Sequence, residues 1–209
     1  MFGLNIKDTL QNEHKYNQGI LIMNIEGRLV TLRAIEIEDV DLLIKWSNSP
    51  ELWKNLIGWH FPYSKISTEN YIKNIDHANM KNQIFAIEAH DIGLIGTINL
   101  ADIDWKNRSA TNGIMLGDVD TRGKGYAMDA ALTIMRYAFK ELGLNRLSGE
   151  ILDYNNRSIG LSTKKCGWKI EGRRAEATYR DGKYHDQVLI GITHKQYDEF
   201  MKVNDYWNS

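Results

Sequence analysis

Arg122-Gly123-Lys124-Gly125 places two cations and two glycines in four consecutive positions, directly before a helical pattern. That combination suits an anion. The first N–H groups of a helix have no partner inside it, and the macrodipole adds partial positive charge there. Glycines let the backbone close on a phosphate without Cβ clashes. Arg122 and Lys124 add full charges beside it. Spacing then separates the known phosphate loops. A Walker loop ending in Gly123-Lys124 needs glycine where Asp118 stands and Ser or Thr where Gly125 stands. A dinucleotide fingerprint starting at Gly123 needs a small residue where Met128 stands. The bland alternative is a surface turn that merely caps a helix.

The loop needs a strand before it and a helix after it. Ile114-Met115-Leu116 reads as an apolar strand end. Ala127, Ala130, Ala131, Ile134, Ala138 and Leu142 recur at helical spacing, and Gly143 sits where a C′ residue belongs. Upstream, Arg28 to Arg33 alternates as a strand and Glu36 to Ser47 reads as a helix. Residues 48–64 read as irregular and aromatic. A second helix runs from Ser67 to about His77, with Ser67 or Thr68 as its cap. Strands follow at 84–87 and 94–100 around a turn at Asp91-Ile92-Gly93, then at 110–116. Beyond the long helix come a strand at 146–152, a short helix capped by Asn155 or Asn156, strands at 168–179 and 184–192, and a terminal helix from His194 to Val203.

Composition narrows the class. A chain of 209 residues suffices for one domain with a substantial core. A net charge of −1 argues against bulk phosphate neutralisation, hence against a nucleic-acid partner. One cysteine, Cys166, cannot pair internally, which fits a cytoplasmic location, and no metal-ligand spacing surrounds it. No apolar run approaches membrane-spanning length. Residues 1–27 read as an N-terminal extension and lead-in, 28–195 as the domain, and 196–209 as a C-terminal helix and tail.

Arg122-Gly123-Lys124-Gly125-Tyr126-Ala127 resembles the pyrophosphate loop of the GNAT family of acyl-CoA N-acyltransferases. Leu32-Arg33-Ala34, Ile95-Gly96-Thr97-Ile98, Asn155-Asn156-Arg157-Ser158-Ile159 and Lys164-Lys165-Cys166-Gly167-Trp168 resemble further family motifs in order. Ile170-Glu171-Gly172-Arg173 with Tyr179, Asp181, Gly182, Lys183, Tyr184 and Asp186 resembles the tail of the branch that holds ribosomal-protein N-terminal, spermidine and nucleotide-aminosugar acetyltransferases. The resemblance implies an α/β (α+β) fold: a single domain with a mixed, mainly antiparallel sheet of about seven strands and helices on both faces. Two family features are missing. The glutamate of the strand before the loop is replaced within Thr111-Asn112-Gly113, and the tyrosine of the short helix by Ser162 or Thr163. One extra residue between Asn155 and Gly167 leaves either Asn155 or Asn156 as the family asparagine.

The resemblance implies direct acetyl transfer from acetyl-CoA to a primary amine, with no metal. The diphosphate would lie on Arg122, Gly123, Lys124, Gly125, Tyr126 and Ala127. The pantetheine arm would pair with Ile114, Met115 and Leu116, and a backbone N–H at Leu116 would face the thioester oxygen. Asn155, Asn156 and Ser158 would hold pantetheine or substrate groups. Glu150, Asp118 and His60 are candidates to accept the amine's proton. The aromatic residues Trp53, Trp59, His60 and Phe61 fall where the family builds its acceptor site. Glu51 is the one carboxylate between residues 42 and 68, which favours a neutral or nucleotide-linked amine such as an amino sugar. A peptide N-terminus and a polyamine are the alternative acceptors, and a non-catalytic acyl-CoA-binding module the alternative of another class. Relatives that pair their C-terminal strands make a homodimer compatible with the resemblance.

Overall fold

A computed structural model describes residues 24–208 apart from 59, 60 and 77. Eight strands form one sheet in the order β1-β2-β3-β4-β5-β6-β8-β7. They are β1 (Ile25–Glu26), β2 (Val30–Arg33), β3 (Gln83–Ala89), β4 (Gly93–Asp104), β5 (Ser109–Leu116), β6 (Arg146–Leu152), β7 (Lys169–Arg180) and β8 (Lys183–Thr193). Every pairing is antiparallel except β5 with β6. The strand beyond the expected seven is β1, which pairs Ile25 with Leu32 at the edge of β2.

The helices are α1 (Val40–Ser47), α2 (Pro50–Trp53), α3 (Lys65–Lys73), α4 (Tyr126–Arg136), α5 (Asn156–Gly160) and α6 (His194–Asn204). Strand alternation sorts them onto two faces. Ile84, Ala86, Leu94 and Met115 pack with Leu43, Trp46, Leu52 and Ile72 of the first three helices. Phe85, Ile87, Ile98, Ile114 and Leu116 pack with α4 and α6 residues such as Leu132, Ile134 and Tyr197. The loop is thus anchored by a strand and a helix that share one core.

Three local features depart from the expected elements. Pro50 opens a short helix inside the stretch read as irregular; it stands at N1, where its missing N–H removes nothing. The cap of α3 is Ser64, upstream of Ser67 and Thr68: its hydroxyl accepts from Ser67 N at 3.1 Å while Ser67 returns a bond to Ser64 N at 3.0 Å. Both α4 and α5 run on into π-helical turns, Tyr137–Glu141 and Leu161–Lys165.

Candidate functional site

β5 and β6 pair only at Ser109–Arg146, Ala110–Leu147 and Thr111–Ser148 and then diverge. Gly117 N donates to Ile95 O at 2.8 Å, and Gly113 N to Asn99 Oδ1 at 2.8 Å, both toward β4. Alternation along the strand therefore turns the amides of Ile114 and Leu116 into the gap. They face a cavity of about 920 Å³.

At one end of that cavity lies the glycine loop. Gly123 has φ +81° and Gly125, the N-cap of α4, has φ +93°, so both positions call for glycine. Asp129 N is bonded to Gly125 O at 3.0 Å, which leaves the amides of Tyr126, Ala127 and Met128 without partners in the helix. All three residues line the cavity, with Arg122, Gly123 and Gly125. Lys124 is exposed at the tip. Tyr126 contributes its backbone alone: its phenol is buried on Asp91, at 2.8 and 2.7 Å, and that hydrogen bond raises its pKa. Arg122 Nη1 donates to Glu51 Oε1 of α2 at 2.8 Å.

The opposite wall is α5 and its π turn. Asn155 is the cap, its Oδ1 accepting from Ser158 N at 3.1 Å and its Nδ2 reaching Asn55 O at 3.4 Å. Asn156 is the first residue of the helix and lines the same cavity. A π turn accommodates one residue more than an α-turn of the same rise, so the extra residue between Asn155 and Gly167 falls at Leu161–Lys165. Thr163 Oγ1 bonds back to Ile159 O at 2.7 Å. Arg157, Lys164 and Lys165 also line the cavity and supply three cations that the sequence reading did not assign. Their signal was present: seven and eight positions on a helix are two turns, hence one face.

A second cavity of about 430 Å³ continues beyond the gap. Asn55, Leu56, Ile114, Met115, Asn155, Ser158 and Leu161 border both spaces. Its own lining includes Ile57, Thr97, Asn99, Thr111, Asn112, Glu150, Ser162 and Trp168. Beside Thr111, Asn112 Nδ2 donates to Asn99 O at 2.8 Å. Glu150 Oε1 is 3.1 Å from Arg174 Nη2. Asp118 is paired with Lys45 at 2.6 Å and borders neither cavity.

Trp53 and Phe61 border neither cavity. Trp53 Nε1 donates to Ser47 O at 2.5 Å, which turns the indole back onto α1, and Phe61 is 56% exposed. Trp59 and His60 lie outside the described residues. The segment reaches the cavities through Leu52, Asn55, Leu56 and Ile57 instead.

The strand edge at Ile114–Leu116 and the glycine-capped start of α4, both read from the sequence, border one cavity. Comparison with known proteins decides the family: the acetyltransferase (GNAT) domain profile matches residues 29–169. The chain belongs to the GNAT acetyltransferase family. It is an acetyl-CoA-dependent N-acetyltransferase of that type. Among its GNAT relatives, an uncharacterized SPbeta prophage-derived N-acetyltransferase of Bacillus subtilis, YokL, is 30% identical over 82% of this chain and 94% of its own. A spermidine N(1)-acetyltransferase of Vibrio cholerae is 28% identical over 80% of this chain and 95% of its own. The crystal structure of a spermidine N-acetyltransferase from Vibrio cholerae, in complex with CoA and spermine, has the same fold: TM-score 0.73 at 24% identity, covering 81% of this chain and 98% of the other. Among the described residues no helix is long and apolar enough to cross a membrane.

Proposed function

We propose that this GNAT enzyme acetylates the primary amine of a small, hydroxyl-bearing molecule, with an amino sugar, free or nucleotide-linked, as the favoured class. The carrying observation is the lining of the second cavity: amides and hydroxyls of Asn99, Asn112, Thr97, Thr111 and Ser162, with Glu150 its one carboxylate among the described lining residues, already facing Arg174. A polyamine presents several ammonium groups and calls for carboxylates that are not committed to cations.

In this reading the amides of Gly123 to Met128, with Arg122 and Lys124, hold the donor's diphosphate. Arg157, Lys164 and Lys165 add cations along the facing wall. The Ile114–Leu116 edge pairs with the amide-rich pantetheine arm, and the Leu116 N–H stabilises charge developing on the thioester oxygen. Asn155 and Ser158 border both spaces and orient the reacting ends; Asn156 serves the donor side. Glu150 takes the amine's proton through water. Positioning supplies the remaining acceleration, since Ser162 and Thr163 are poor proton donors. The lone Cys166, buried and unpaired, fits a cytoplasmic enzyme.

A second reading, polyamine acetylation, is favoured by the spermidine acetyltransferases among the relatives. Thiol release from acetyl-CoA across glucosamine, a nucleotide amino sugar, spermidine and N-terminal peptides tests both. The highest kcat/KM is expected with an amino sugar. A preference for spermidine overturns the first reading in favour of the second.

A further inference from the structure

Four consecutive carbonyls, from Trp53 at the end of α2 to Leu56, are each held by side chains from the far half of the chain. Arg180, the last residue of β7, donates from Nη1 to Trp53 O at 2.7 Å and from Nη2 to Leu56 O at 2.9 Å. The Tyr154 hydroxyl donates to Lys54 O. Asn155 Nδ2 reaches Asn55 O at 3.4 Å. Asn55 and Leu56 border both cavities, so this segment roofs their junction.

The other end of the roof is held differently. Glu51 Oε1 accepts from Arg122 Nη1 at 2.8 Å, with the side chains 58% and 27% exposed. Arg122 is also a cation of the loop assigned to the diphosphate. A second pair joins the same two regions with charges reversed, Lys45 of α1 to Asp118 at 2.6 Å.

We propose that Glu51 is a built-in competitor for Arg122: the carboxylate and the donor's diphosphate bind the same guanidinium, and the diphosphate displaces Glu51, releasing the α2 end of the roof. This rests on the reading of the loop as the diphosphate site. The exchange is favourable because a diphosphate carries more charge than a carboxylate and meets the α4 amides and Lys124 as well. It is easy because an exposed carboxylate–guanidinium pair is weak. In the Lys45–Asp118 pair the cation belongs to α1 rather than to the loop, so that pair keeps α1 attached while α2 moves. The Arg180 and Tyr154 contacts keep the far end of the roof seated, and the segment pivots.

Titration calorimetry with CoA on the intact chain tests this. Glu51→Gln should tighten CoA binding about two- to fivefold, the worth of one exposed ion pair. In an Arg122→Gln background the same change should have no effect. Hydrogen exchange supplies an independent readout: CoA should slow residues 123–128 and speed residues 51–54, and in Glu51→Gln the acceleration at 51–54 should vanish. An unchanged CoA affinity in Glu51→Gln, or slowed exchange at 51–54 on adding CoA, overturns the proposal while leaving the diphosphate site standing. Unchanged CoA affinity in Arg122→Gln overturns the assignment of Arg122 to the diphosphate, and the competition with it.

Discussion

Gly117 lies so close against the indole of Trp46 that a Cβ on the glycine would fall 1.8 Å from Trp46 Cε2. Trp46 is 1% exposed and has nowhere to retreat. The contact seats the end of β5, and so the Leu116 amide, on the α1 side of the core. Gly117→Ala should cost about 1–3 kcal/mol by overpacking and lower Tm by roughly 3–10 °C. It should also raise the donor KM, because the strand end must move. A variant that melts with the wild type would remove the contact from the argument.

Asp129 holds the loop helix to the edge of the sheet. Its carboxylate is fully buried and accepts from the N–H groups of Arg28, Leu29 and Val30 at 3.1, 2.6 and 2.9 Å and from the Tyr206 hydroxyl at 2.8 Å. Asp129→Ala strands three amides and should cost about 3–5 kcal/mol in urea unfolding. Tyr206→Phe removes one donor and should cost about 1 kcal/mol. Equal losses in the two variants would contradict this division.

Cys166 is 0% exposed, and burial pushes its thiol up to about 12 from 9.0. The native chain therefore keeps a proton that the unfolded chain releases above pH about 9. The sign follows: this stabilisation is complete below pH 9 and is lost as pH rises toward 12. Alkylation by iodoacetamide between pH 7 and 9 should track global unfolding rather than thiolate formation. Fast alkylation of the native protein at pH 8 would show an open site instead.

Lys164 and Lys165 line the donor cavity on the exposed side of the π turn. Replacing both with alanine should raise the acetyl-CoA KM about three- to tenfold at low salt, with kcat little changed. The difference should shrink at 0.5 M salt, because exposed charges are screened. A salt-independent effect would indicate altered packing of the turn.

Glu150 is the carboxylate that faces the second cavity, beside Arg174. Glu150→Gln should lower kcat by about a hundredfold if the carboxylate accepts the amine's proton. A kcat near wild type would assign Glu150 to the Arg174 pair alone and leave the proton route to solvent.

The glycine loop, its strand and its helix were legible in the sequence because their cause is local. Gly123 and Gly125 adopt backbone angles that neighbouring residues of other types resist, and α4 begins where the apolar period begins. Seven of the eight strands were legible for the same reason, through alternation within a few residues; β1 has only two residues and no room to alternate. The seat of Asn155 as cap became certain only in three dimensions, because either asparagine satisfies the local pattern and the π turn that absorbs the spare residue leaves no composition signal.

The lining of the second cavity was decided by tertiary contacts. Aromatic residues from Trp53 to Phe61 carry the same sequence signal whether they wall a pocket or pack on a helix; the bond from Trp53 to Ser47 turns that side chain away, and Leu52, Asn55, Leu56 and Ile57 reach the cavities in its place. The roof and the Glu51–Arg122 pair join residues from 71 to 127 positions apart, which no periodicity encodes. By itself the sequence determined which donor chemistry the chain supports, because a few adjacent backbone amides make that site. Only the tertiary structure decided what lines the second cavity, because that wall is assembled from side chains far apart along the chain and oriented by packing.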